Sequence, residues 1–159
     1  MHEQAKIVII GGGIAGCSAL YHLAQMGCTD VLLLERDELT SGSTWHAAGN
    51  VPTYSTSWSV MKVQSYSAAL YRELANDPDF PISYHVTGSV RLAHGRNRMD
   101  EFRHVQSMGR ANGMEYDILS PAQLRQRYPF IETHDLLGAL WDPLDGDIDP
   151  SQLTQALGR

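Results

Sequence analysis

Residues 6–36 read KIVIIGGGIAGCSALYHLAQMGCTDVLLLER, and the reading of this stretch decides the fold. Ala5 to Ile10 is a short, wholly apolar run rich in β-branched residues, the pattern of a strand buried on both faces of a parallel sheet. Gly11-Gly12-Gly13 turns the chain. From Ile14 to Met26, Ala15, Ala19, Leu20 and Leu23 recur at helical spacing, and Gly27 supplies a C-cap. Val31 to Leu34 is a second buried strand, ending at Glu35. The spacing predicts a βαβ unit with the right-handed crossover such units have.

The glycines carry a chemical meaning because of that context. Gly11-x-Gly13-x-x-Gly16 follows a strand, opens a helix, and is followed after nineteen residues (35 − 16) by an acid at the end of the next strand. This is the arrangement of a dinucleotide-binding fingerprint. Gly11 permits the tight turn, Gly13 leaves room for a pyrophosphate against the backbone, and Gly16 lets helix and strand pack closely. The helix N-terminus offers N–H groups and a positive dipole end to phosphate. Glu35 can accept hydrogen bonds from ribose hydroxyls and would repel a 2′-phosphate, which disfavours NADP. FAD and NAD both use this unit. An NAD domain continues with a helix and a third strand, whereas Ser41-Gly42-Ser43-Thr44-Trp45-His46-Ala47-Ala48-Gly49 is a loop dense in hydroxyls. Such a loop could turn back along an extended cofactor, or it could be an ordinary solvated loop.

Further along, residues 37–57 read as irregular and Ser57 to Ala75 as a helix. Tyr84 to Ala93 reads as one strand, and Met99 to Ala111 as a charged surface helix that exposes Arg96, Arg98, Arg103 and Arg110 on or near it. Ser120-Pro121-Ala122-Gln123 is a capping box that starts a short helix running to about Tyr128. Leu136 to Trp141 reads as a strand leading into an acidic turn at Asp145-Gly146-Asp147, and Asp149-Pro150 caps a last helix. Tyr54, Trp58, Tyr66 and Tyr71 are expected to be packing residues. The expected class is α/β: residues 1–50 are the first part of a Rossmann-type FAD-binding domain, 51–148 the first part of an α+β substrate-side domain, and 149–159 the start of a helix. With two strands of a sheet that needs more, the chain is expected to be truncated.

The bulk composition is that of a globular protein, with 43% hydrophobic and 19% charged residues, and the formal charge of −6 argues against a nucleic-acid partner. Cys17 and Cys28 form no CxxC and are expected to be free thiols. The seven histidines lack HxxxH or HExxH spacing, and Leu153 stands where a calcium loop counted from Asp142 needs a glutamate, so no metal site is expected. No run reaches the roughly 18 apolar residues of a membrane span. The glycines break the only stretch that resembles a leader, so a cytoplasmic location is expected.

The glycine fingerprint, Leu33-Leu34-Glu35-Arg36, the loop Gly42 to Gly49 and the late stretch Asp145-Gly146-Asp147-Ile148-Asp149-Pro150 together resemble the dimethylglycine dehydrogenase and sarcosine dehydrogenase family. The resemblance spans nearly the whole chain. The STWHAAG loop is its most specific part; the rest is shared more widely among amine-oxidising flavoproteins of the D-amino-acid-oxidase type. The family pattern has an apolar residue where Asn50 stands. The resemblance implies FAD contacts at Ile14, Ala15, Glu35 and Arg36 and along Gly42, Ser43, Thr44, Trp45, His46, Ala47, Ala48, Gly49 and Asn50, with His46 bound covalently to the flavin 8α carbon. It implies oxidation of an N-methyl amino acid by hydride transfer to flavin. The resulting iminium is hydrolysed or passed to tetrahydrofolate in a separate C-terminal domain, and electrons pass on to oxygen or a carrier flavoprotein. The family's substrate-contacting residues lie mostly beyond residue 159, so no catalytic acid or base is assigned. Two other readings stay open: a non-catalytic regulatory relative that keeps the fold, and an NAD-linked dehydrogenase, which the absent third strand disfavours.

Overall fold

The computed structural model describes residues 4–159. Two compact units divide the chain: Met1–Gly49, Tyr71–Tyr84 and Ile148–Arg159 form one, and Asn50–Leu70 and His85–Asp147 the other. Residues 71–84, placed by the sequence in the 51–148 portion, cluster with the first unit.

The first unit is built on β1 (Ile7–Ile10), α1 (Ile14–Gln25) and β2 (Val31–Leu34), with the two strands parallel and in register from Ile7↔Val31 to Ile10↔Leu34. Apolar side chains alternate along β1. Ile7 and Ile9 are half-buried, while Val8 and Ile10 are exposed by 49% and 87%. The expected burial on both faces is therefore not met within this chain, because one helix covers one face of a sheet. The helix approaches closely at Gly16, where a Cβ would collide with the Gly11 carbonyl oxygen. Helix α5 (Pro150–Leu157) packs on α1, and its cap Gly158 lies against Cys17 and Leu39. The expected cap is present: Asp149 accepts the Ser151 and Gln152 amides at 2.8 and 3.0 Å.

The segment read as irregular contains a 3-10 turn at Ser43–His46 and a short strand, β3 (Asn50–Val51). The helix expected at 57–75 is α2 (Trp58–Ala75). Trp58 and Tyr66 are 41% and 56% exposed: Tyr66 lies off the face of α2 that buries Met61 and Ala68, and Trp58 is the first residue of the helix, with Lys62 over its ring. Tyr71 meets Tyr84 edge-on in the first unit.

In the second unit the strand expected at 84–93 is two strands, β4 (Tyr84–His85) and β5 (Ser89–Ala93). Gly88 interrupts them with a φ of +70°, and its missing side chain makes room for the Trp141 ring. After α3 (Arg96–Ala111) comes a strand the sequence reading did not anticipate, β6 (Asp117–Leu119); α4 (Pro121–Arg127) then starts at the expected capping box, where Gln123 and Ser120 exchange hydrogen bonds. Strand β7 (Gly138–Asp142) is central and buried along its whole length, pairing antiparallel with β5 on one side and β6 on the other. The acidic turn is in part strand β8 (Gly146–Ile148), whose Asp147 and Gly146 pair with Asn50 and Val51. Although α3 is charged on its outer side, it buries Met99, Phe102 and Val105 against Met61, Met114, Tyr116 and Leu140. Arg98 lies over Phe102 and Arg103 pairs with Asp100 at the surface. Among the described residues no helix is long and apolar enough to cross a membrane, and no cluster of three or more metal-binding side chains occurs.

The Gly88 position gives a direct test of this packing. Gly88→Ala forces a side chain into the left-handed region and against the Trp141 ring, so it should destabilise the second unit by about 2 to 4 kcal/mol. A urea midpoint equal to that of the parent protein would show that the ring is free to move aside.

Candidate cofactor site

The glycine turn, the end of β2 and the loop after it enclose a cleft of about 580 Å³ in the first unit. Of the residues singled out from sequence, Gly11, Gly13, Ile14 and Ala15 line it from the turn and helix, Glu35 and Arg36 from the strand end, and Gly42, Ser43 and Thr44 from the loop. Gly11 makes the turn with a φ of +108°. Gly16 lies beneath the cleft, where it sets the helix on the strand. Trp45, His46, Ala47, Ala48, Gly49 and Asn50 do not line it. Trp45 is 62% exposed, Gly49 abuts Ile148, and Asn50 sits in β3. Sequence reasoning missed Asp37 and Ser41, which line the cleft, and Gly12, whose buried amide is one of its anchors.

Two long-range hydrogen bonds shape this site. The Gly12 amide donates to Glu35 Oε2 at 2.6 Å, while the Arg36 and Asp37 amides donate to Oε1 at 2.8 and 3.1 Å. These amides, Gly12 first, hold the Glu35 carboxyl below its ordinary pKa, and Arg36 adds to the effect. Glu35 therefore stays ionised, and its remaining lone pairs can accept from ribose hydroxyls. On the other side, Thr44 Oγ1 accepts the Ile14 amide at 3.0 Å. The helix has no cap of its own at Gly13, so Thr44 serves as one from thirty residues away. A Cβ on Gly13 would sit 3.0 Å from this hydroxyl. The Thr44 O–H remains available as a donor towards the cleft.

These features fit the adenosine and pyrophosphate portion of a dinucleotide. The first-turn N–H groups of α1 and the Thr44 hydroxyl would hold phosphate, and the Glu35 carboxylate would hold ribose. Beneath the turn, Cys17 is buried and its thiol donates to the Gly12 carbonyl at 3.7 Å; burial, then the charge of Glu35, pushes its pKa up, so it is an unreactive packing residue. Cys17 and Cys28 are both free thiols.

His46 is exposed, with its ring 4.8 Å from that of Trp45. Its Nδ1 lies 3.1 Å from the Gly42 carbonyl oxygen. Such a bond requires the proton on Nδ1 and leaves the Nε2 lone pair free in the neutral ring.

The second unit holds a separate cleft of about 460 Å³ bordered by Asn50, Ser89, Arg91, Asp145 and Asp147. Behind it lies a feature the sequence reading did not anticipate. Asp142 and Asp145, at the acidic turn, are 0% and 5% exposed and bound into the interior. The free charge of a carboxylate marks a turn in sequence, and only the fold supplies the donors that permit its burial.

The model of the DAO family, described as FAD dependent oxidoreductase, matches residues 6–159, and the chain belongs to this family. It is 39% identical over 155 residues to the mitochondrial dimethylglycine dehydrogenase of Rattus norvegicus, covering 98% of this chain and 18% of that protein. To the mitochondrial sarcosine dehydrogenase of Homo sapiens it is 38% identical over 158 residues, covering 99% of this chain and 17% of that protein. The chain thus spans under a fifth of the length of these relatives. Its fold matches the crystal structure of L-proline dehydrogenase from P. horikoshii with a TM-score of 0.88 at 24% identity, covering 99% of this chain and 41% of that one.

Two substitutions test the cradle. Gly13→Val should abolish FAD binding, because its side chain fills the phosphate position and displaces Thr44. Glu35→Ala should weaken binding on the order of ten- to a hundredfold, as loss of a hydrogen bond to a charged group does. Flavin content of the purified protein and equilibrium titration with FAD measure both, and a Gly13→Val protein that stays yellow at the parent stoichiometry contradicts the assignment.

Proposed function

We propose that this chain is the cofactor-holding part of an FAD-dependent oxidoreductase that oxidises N-methyl amino acids of the dimethylglycine or sarcosine type. The observation that carries the reading is the cradle itself: one carboxylate and one hydroxyl, from β2 and from the loop after it, lock the glycine turn around a cleft that ends at a helix N-terminus. The similarity to dimethylglycine and sarcosine dehydrogenases supports the substrate class. When bound, FAD supplies the two-electron acceptor for removal of a hydrogen from the N-methyl carbon. The Ala15 amide and the Thr44 hydroxyl would hold its pyrophosphate and the Glu35 carboxylate its ribose, with Ile14, Arg36, Gly42 and Ser43 in the wall. The family resemblance extends the FAD contacts to Trp45, Ala47, Ala48, Gly49 and Asn50, which do not line the cleft. The iminium product would be hydrolysed or passed to tetrahydrofolate, and the electrons would leave to oxygen or to a carrier flavoprotein.

His46 is the proposed point of covalent flavin attachment. The hydrogen bond to Gly42 orients its ring and, in the neutral tautomer, leaves the Nε2 lone pair as the nucleophile. Acid precipitation tests this. Flavin should remain in the pellet, track with a peptide containing His46, and be released in His46→Ala; free FAD in the supernatant of matured parent protein overturns the link. For the substrate, anaerobic dimethylglycine or sarcosine should bleach the flavin bound to the full-length protein, whereas glycine should not. Equal bleaching by all three would remove the N-methyl specificity.

A further inference from the structure

Asp142, at the end of β7, and Asp145, just before β8, are given unequal partners. Asp145 Oδ1 accepts the Thr53 amide at 2.6 Å, and Oδ2 accepts the Ser89 hydroxyl and both terminal nitrogens of Arg91, each at 3.2 Å for the arginine. The donors to Asp142 are neutral: the Thr53 hydroxyl at 2.7 Å on Oδ2 and the Leu144 amide at 3.0 Å on Oδ1. One residue, Thr53, therefore bridges both carboxyls, through its amide to one and its hydroxyl to the other.

The charges around the pair do not balance two carboxylates. From β5 comes Arg91, whose guanidinium lies 4.4 Å above the Tyr54 ring. From the segment before β6 comes Tyr116, whose hydroxyl donates to the Thr53 carbonyl at 2.9 Å; burial pushes its pKa up, so it is neutral. Tyr54, pushed up to about 12 by burial and then by its bond to Glu101, is neutral as well. Behind it on α3, Glu101 and Arg98 form their own ion pair at 2.6 Å. Among the described residues, Arg91 is thus the single cation facing two buried carboxyls, and a second buried carboxylate would stand uncompensated.

We propose that Asp142 and Asp145 share one proton in the folded chain, Asp142 being the acid and Asp145 the carboxylate, and that loss of this proton loosens the anchorage of residues 50–53 through Thr53. The titration behaviour agrees with the geometry. Burial, then the hydrogen bond with Asp145, pushes Asp142 up to about 6. Burial also pushes Asp145 up, but hydrogen bonds from Asp142, Ser89 and the Thr53 amide, together with Arg91, outweigh it and hold this carboxyl below its ordinary value.

The sign of the pH effect follows. Asp142 binds its proton more tightly folded than unfolded, so its stabilisation is complete below the unfolded value of 3.8 and is lost as pH rises through about 6. Asp145 has the opposite shift, and its stabilisation is lost as pH falls below the ordinary aspartate range. Between about pH 4 and pH 6 the Asp142 proton should change the unfolding constant of the second unit on the order of 100-fold.

Urea unfolding of the chain tests this, followed by Trp141 fluorescence in a Trp45→Phe, Trp58→Phe background and compared with the same protein carrying Asp142→Asn. The asparagine keeps an acceptor for the Thr53 hydroxyl and offers Asp145 an N–H in place of the acidic proton. The Leu144 amide loses its acceptor at every pH, a constant offset that leaves the pH dependence of the comparison intact. The parent should lose the 100-fold stability between pH 4 and pH 7.5 relative to Asp142→Asn. Parallel curves overturn the proposal. A second measurement needs no substitution: in the folded protein labelled with 13C-aspartate, one carboxyl carbon should titrate at about pH 6, above the ordinary aspartate range. Completion of every aspartate titration below pH 5 would overturn the proposal independently.

Discussion

One hydroxyl, that of Thr44, closes the end of α1 by accepting the Ile14 amide, and the geometry of the cofactor cleft depends on it. A helix that begins at a glycine has no side chain of its own to satisfy its first N–H groups. Here the cap comes from the loop that also forms the cleft's far wall, so placing the loop and capping the helix are the same event. Glu35 does the equivalent work on the other side, tying the end of β2 to the Gly12 amide. The turn is therefore held from both flanks by side chains 23 and 30 residues distant, and the cleft is shaped before any phosphate enters it. Preorganisation of this kind lowers the ordering cost of binding.

The second unit is organised around a different constraint, the burial of β7. All five of its residues are buried, so every polar group at its end must find a partner inside. Asp142 meets that demand through Thr53 and Leu144, and Asp145 through Thr53, Ser89 and Arg91. The hydrophobic cluster of Met61, Phe102, Val105 and Leu140 supplies the apolar stabilisation, while the polar network fixes where the segment after β3 runs.

The parts of this fold that were legible in the sequence are those governed by local rules. The βαβ unit, the capping box at Ser120 and the Asp149-Pro150 start of α5 each rest on residues within a few positions of one another, and the structure has all three. The fingerprint glycines and Glu35 were legible through their fixed spacing, although Asp37, which also lines the cleft, was not. What was not legible depends on distant partners. Gly88 breaks a plausible strand because the Trp141 ring occupies the space above it. Asp117–Leu119 is too short to show alternation and becomes a strand through pairing with β7. Asp142 and Asp145 look like surface charge until Thr53 and Arg91 are brought to them. Gly12 was passed over as filler between the fingerprint glycines, although its amide anchors Glu35.

Gly49 and Ile148 are separated by 99 residues (148 − 49), yet the Ile148 amide donates to the Gly49 carbonyl at 2.9 Å. Helix α5, which follows directly, packs on α1 and on the 3-10 turn that carries Thr44. On a ribosome adding about 5 to 20 residues per second, the glycine turn and its loop therefore wait roughly 5 to 20 seconds for the element that covers them. Through that interval the nascent cradle shows α1 without its helical neighbour, and α5 covers it only once residues 150–157 are made.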